Sequence, residues 1–180
     1  NAVLVQPPTQ NRDDLAAAID RFQLQRHTAI GSGIIVSLAT LFPDEGIELE
    51  HAMFGSGFSR DGARKGSLDK APKTEKKEFK PVPPGSFQSA AIILLTDGRR
   101  TIGPDPLDAA KMAADHGVRV FTVGFGSAAG GSVDIDGMSI YMRFDEETLK
   151  SVAAITRAEY YHASTAAELK KVYEGLNTRF

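Results

Sequence analysis

Residues 90–98 read Ala-Ala-Ile-Ile-Leu-Leu-Thr-Asp-Gly. The apolar run from Ala91 to Leu95 suits a strand buried on both faces, as in a parallel sheet covered by helices. The run stops at Asp97-Gly98. Open α/β sheets bind ligands at the carboxyl ends of their strands, which makes Asp97 a candidate site residue. An Asp-Gly pair equally well starts a turn, so the flanking segments must decide.

Downstream, strands and helices alternate. Asp105-Pro106 reads as an N-cap followed by a first-turn proline. The helix it opens has Leu107, Ala110 and Ala114 on one face and stops at Gly117. Val118 to Phe125 is a second strand, and Ser127 to Arg143 alternates like a small hairpin. Asp145 begins a helix whose buried face is Leu149, Val152, Ala153 and Ile155. Glu159 to His162 is a short strand, and Thr165 with Glu168 forms a capping box for a last helix. This alternation implies βαβ units and a parallel sheet.

Upstream, Ala2 to Val5 reads as a short edge strand ended by Pro7-Pro8. Asn11 caps a helix with Leu15, Ala18, Ile19 and Phe22 on its apolar face. Thr28 opens the next helix, striped by Ile30, Ile34, Leu38 and Leu41, with Pro43 beyond its end. Asp44 to Gln88 is long for a connection inside a compact domain. Between Gly57 and Lys80 it holds eight Lys and Arg against four Asp and Glu. Such a stretch suits a solvated excursion, or a contact surface for an acidic partner.

The 180 residues suffice for one domain, and the net charge of -2 does not favour nucleic acid. Without cysteine there is no disulfide, thiolate metal site or thiol nucleophile. No apolar run is long enough to span a membrane. The chain starts at Asn1 with no leader, as a piece of a longer protein would. Enzyme signatures are poor. Gly124-x-Gly126 is followed by the hairpin-like stretch rather than the helix a dinucleotide fingerprint requires. The four histidines have no zinc-protease spacing, and no serine sits in a nucleophile elbow. Asp134 and Asp136 read as turn residues, with Ca²⁺ binding as the alternative.

Thr28 and Asp97 offer hard oxygen ligands, suited to Mg²⁺, Ca²⁺ or Mn²⁺. For Thr28, simple helix capping competes with that reading. The ordered segments "AVLVQPPTQ", "NRDDLAAAIDRF", "RHTAIGSGI", "AAIILLTDGRRTIGPDPLDAAKMAADHGVRVFTVGFG", "DEETLKSVAAIT" and "YYHASTAAELKKVYEGL" add to it. Together they resemble the von Willebrand factor type A domain, in the form found in bacterial, membrane-anchored, BatA-like (aerotolerance-type) proteins.

The resemblance implies a Rossmann-like three-layer α/β sandwich, mostly parallel, with helices on both faces. It implies one domain over residues 1–180, N-terminally incomplete, with an insertion at about 44–88. It also implies a metal-ion-dependent adhesion site for Mg²⁺ or Mn²⁺, often completed by a partner's carboxylate. Thr28 matches the family's Thr-Ala-Ile-Gly-like loop and Asp97 its strand-Thr-Asp-Gly segment. The family's Asp-x-Ser-x-Ser loop has no counterpart here. Metal binding by this chain alone is therefore expected to be weak or absent.

The expected function is protein–protein interaction or assembly, without catalysis, on the outer side of a bacterial membrane whose anchor lies outside this chain. The alternatives are a metal-independent module that uses the basic insertion and, behind it, a metal-assisted hydrolase. By the same resemblance the strand Ala90 to Thr96 lacks its natural neighbour. Its exposed apolar edge then predicts self-association or marginal stability.

Overall fold

The computed structural model describes residues 2–22, 27–45, 47, 79–97, 100–126, 131–135, 138–142 and 145–177. Most of the 44–88 insertion, together with His51 and Asp136, falls outside the described residues.

In chain order the elements are α1 (Arg12–Asp20), α2 (Ile30–Leu41), a 3₁₀ turn (Pro43–Glu45), β1 (Ala91–Thr96), α3 (Pro106–Asp115), β2 (Arg119–Phe125), β3 (Gly131–Ile135), β4 (Met138–Met142), α4 (Glu146–Ile155), β5 (Tyr160–Ala163) and α5 (Ala166–Asn177). Strands β1, β2 and β5 form a parallel sheet in the order β1-β2-β5, and β3 and β4 form a separate antiparallel hairpin. The fold is α/β, a parallel sheet flanked by helices.

Local chemistry sets most element ends. The Asn11 side chain accepts a hydrogen bond from the Asp13 amide, and Asp105 caps α3 through the Leu107 amide with Pro106 in the first turn. Asp145 caps α4 through the Thr148 amide. After α3 the chain turns at Gly117, where φ is +72°. A Cβ there would also lie 2.9 Å from Val82 Cγ2 and 3.0 Å from the Phe87 nitrogen. Only glycine suits both the left-handed backbone and that close approach.

The core lies between the sheet and helices α2, α3 and α4. Ile30, Ile34, Ile35 and Leu38 of α2 pack with Ala109, Ala110 and Ala113 of α3, Leu149 and Val152 of α4, and Ile92 and Val120 of the sheet. The small alanine face lets α3 pack closely between α2 and α4. Each fully buried Ile or Leu contributes about 1.5–3 kcal/mol.

Three expectations fail on the side of β1 away from β2. Ala2 to Val5 forms no strand. It lines a groove beside Ala91, Ile92 and Ile93 without joining the sheet. The α1 stripe does not enter the core, and Phe22 is 64% exposed; Ala18 is the buried residue of that helix. Strand β1 is covered on one face only. Ile92 joins the core, whereas Ile93 and Leu95 are 39% and 43% exposed.

These failures share one cause. Burial of the α1 stripe and of the second face of β1 depends on a neighbour for the outer edge of β1, and the described sheet ends there. The result is an apolar groove of about 690 Å³ lined by Leu4, Leu15, Ile19, Phe22, Val36 and Ile93, among others. An unpaired apolar edge favours association with another chain. We expect the 180-residue chain to self-associate, and Ile93→Lys to shift it toward monomer in sedimentation-velocity ultracentrifugation. A wild-type chain that stays monomeric at high concentration would refute this.

Candidate functional site at the carboxyl end of the sheet

Asp97 directly follows β1 and is exposed. Thr28 lies two residues before the start of α2 and is partly buried. It does not cap that helix. Ala29 holds the cap position, with no side-chain hydrogen bond. The competing reading of Thr28 as an N-cap is thereby removed.

The Thr28 main chain is held from across the sequence instead. Its N–H donates to Thr101 Oγ1 at 2.9 Å, and its carbonyl accepts from the amides of Thr101 (2.9 Å) and Ile102 (3.3 Å). Asp97 starts the loop that contains Thr101. One loop thus carries the acid and grips the Thr28 segment. Among the described residues, neither the Thr28 hydroxyl nor the Asp97 carboxylate has a hydrogen-bond partner.

A close backbone contact fixes α2 against the same loop. A Cβ on Gly31 would run into the Pro104 carbonyl oxygen, and would lie 3.3 Å from the Asp105 oxygen. Beside this contact, Arg100, Asp105, Leu107, Asp145 and Thr148 line a hollow of about 290 Å³, with Arg100 3.7 Å from the Asp105 carboxylate. Sequence reading missed Thr101 and Gly31. "TDGRRT" and "TAIGSG" gave no local sign that the two loops meet.

Among the described residues, His162, Ser164, Thr165 and Glu168 are engaged with one another or with the main chain. His162 Nε2 lies 2.8 Å from the Gly126 carbonyl. Glu168 accepts hydrogen bonds from the Ser164 amide and hydroxyl, and these bonds hold its carboxyl below the usual range. The Thr165 hydroxyl accepts from the Glu168 amide. The Thr165 amide adds to that lowering, so the expected capping box of Thr165 and Glu168 forms, with Ser164 as a further donor. Asp134, expected in a turn, lies in strand β3 at the register position opposite Ser139.

Mg²⁺ needs close to six oxygens in octahedral array. Thr28 and Asp97 offer two of the right chemical type. No group of three or more His, Cys, Asp or Glu side chains among the described residues could hold an ion. These residues alone therefore do not complete a divalent-cation site.

Residues 87–175 match the model of the von Willebrand factor type A domain. With the α/β fold, that match identifies residues 87–175 of the chain as von Willebrand factor type A domain sequence. It is 31% identical to a UPF0353 protein of Mycolicibacterium paratuberculosis over 98% of this chain and 44% of that protein. It is 30% identical to a UPF0353 protein of Nocardia farcinica over 97% of this chain and 47% of that protein. The chain thus spans about half the length of these curated relatives.

Two solved structures share the fold. An aerotolerance-related membrane protein from Bacteroides fragilis superposes with a TM-score of 0.56 at 18% identity, covering 94% of this chain and 70% of that one. The conserved hypothetical protein BatB from Bacteroides thetaiotaomicron gives 0.53 at 19%, covering 91% and 67%.

Proposed function

We propose that this chain is a protein-interaction module whose ligand-binding end is the carboxyl end of the sheet, and that Thr28 and Asp97 contribute to a metal-ion-dependent adhesion site. The observation that carries the reading is the pairing of the Thr28 segment with the Asp97 loop through Thr101. Asp97 is the stronger ligand of the two, since a full negative charge outweighs a neutral hydroxyl beside a divalent ion. When bound, the ion would present an electrophilic position to a partner's carboxylate. The remaining protein ligands would come from outside these 180 residues. The aerotolerance-related membrane protein that shares the fold supports a role at a bacterial envelope, with the anchor outside this chain.

Isothermal titration tests the reading. For the 180 residues alone we expect a Mg²⁺ dissociation constant above about 1 mM, weaker than about -4 kcal/mol. In the intact protein, Asp97→Ala should weaken Mn²⁺ and partner binding at least roughly tenfold, about 1.4 kcal/mol. Unchanged metal and partner binding in that variant would exclude the adhesion-site reading. Loss of partner binding on deletion of residues 60–80, with Asp97→Ala silent, would instead favour the basic insertion as the contact surface.

A further inference from the structure

The large exposed hydrophobics are concentrated in one place. Of eleven among the described residues, seven line the groove beside β1. Apolar surface gathered in this way marks an interaction site. Ile93 of β1 contributes to one wall, and Leu15, Ile19 and Phe22 of α1 to a second. The segment Ala2–Val5 makes a third.

This third wall has strand chemistry without a strand. Val3, Leu4 and Val5 are 77%, 48% and 42% exposed, and valine favours strands. The segment makes no ladder with β1 of its own chain. Gln6 accepts a hydrogen bond from Arg21 Nη2 at 3.3 Å, which ties the end of the segment to α1, and Pro7-Pro8 follow. One molecule thus carries both halves of a strand pairing that it does not make within itself.

We propose that the groove of each copy takes residues 2–5 of a second copy, reciprocally, in a twofold dimer. The strand order becomes β5, β2, β1, the partner's 2–5 segment, the chain's own 2–5 segment, then the partner's β1, β2 and β5. This order closes on itself. Each groove lies between β1 and the 2–5 segment of its own chain, and the incoming segment sits between them. Main-chain pairing satisfies the outer edge of β1, while Ile93 and the α1 stripe cover the added strand. Exchange of an identical element is a low-cost route to a dimer, and twofold closure stops it growing into fibres.

Length, charge and area all fit. A four-residue strand, about 13 Å long, spans the stretch from Ala91 to Ile93 that lines the groove. Residues 2–6 and 90–96 carry no charged side chain to oppose the pairing. Seven side chains per copy, about half exposed on average, put the apolar area available in two copies on the order of 1,000 Å², close to what a stable dimer needs.

Cysteine cross-linking tests the exchange, since the 180-residue chain has no cysteine of its own. Val3→Cys and Ile93→Cys both alter exposed side chains. Chains carrying one or the other are mixed and treated with a short bismaleimide. We expect Val3–Ile93 links between different chains, and Val3–Val3 links across the twofold. Ile93–Ile93 links should not form, because the two β1 strands lie three strand spacings, about 14 Å, apart. Leu4→Pro removes a strand donor outside the core and should weaken dimerisation at least roughly tenfold in sedimentation velocity, with the melting of the fold unmoved. Ile93–Ile93 links, which direct pairing of two β1 edges would give, would overturn the exchange. So would a monomeric chain, missing Val3–Ile93 links, or unchanged dimerisation in Leu4→Pro.

Discussion

Gly31→Ala should destabilise the protein by about 2 kcal/mol, although intrinsic helix propensity favours alanine over glycine by about 1 kcal/mol. Position 31 is the second residue of α2, and the atoms in the way are main chain: the Pro104 carbonyl and the Asp105 oxygen. No rotamer change relieves a backbone clash, so either α2 or the loop at 100–105 must move. That loop also carries Thr101, which holds the Thr28 segment. The substitution should therefore lower Tm by roughly 4–8 °C, on the usual scale for a chain of this size, and loosen the candidate site with it.

Gly33→Ala, two residues on in the same helix, is the control. A Cβ there meets nothing within 4 Å. Propensity then acts alone, and we expect stabilisation by up to about 1 kcal/mol. Thermal unfolding of the two variants side by side checks the argument. If Gly31→Ala is as stable as Gly33→Ala, the close approach of α2 to the loop is not a constraint.

The contrast also shows what a sequence can disclose. Asn11, Asp105-Pro106, Gly117 and Asp145 were legible because capping chemistry acts within one turn of the chain. The α2 stripe and the alanine face of α3 were legible because helical periodicity is local too. The exposure of Ile93, Leu95 and Phe22 was not, because it depends on which strand lies beside β1, and periodicity holds no such information. Thr28 was singled out by its motif, but its bond to Thr101 spans 73 positions and left no local mark. His116 was read as a histidine suited to a helix carboxyl end. Its 3.0 Å contact with Glu45 came from the tertiary fold.

Thr156→Val should cost about 2–3 kcal/mol, while Thr122→Val, another buried threonine of the same layer, should be close to neutral. Val and Thr have nearly the same shape, so neither change opens a cavity, and what differs is the partner left behind. Along β2 the amides alternate in direction. Thr122 N–H points toward the β5 side, donating to the Glu159 carbonyl. Val120 N–H therefore points the same way, but β5 pairing begins only at Thr122. The Thr156 hydroxyl occupies the gap. It accepts from Val120 N–H at 3.0 Å and lies 3.1 Å from both the Val152 and Ala153 carbonyls, which share its single proton. Valine at 156 leaves a buried N–H with nothing to bond, at the full desolvation cost of that group. The Thr122 hydroxyl, by contrast, donates at 2.9 Å to the Leu149 carbonyl, a group inside α4 that the helical ladder already engages. Valine at 122 leaves no orphan and suits a strand at least as well. Urea unfolding should rank wild type and Thr122→Val together and Thr156→Val well below, with faster amide exchange at Val120. Equal losses in the two variants would mean that the Val120 amide is not what Thr156 is there to satisfy.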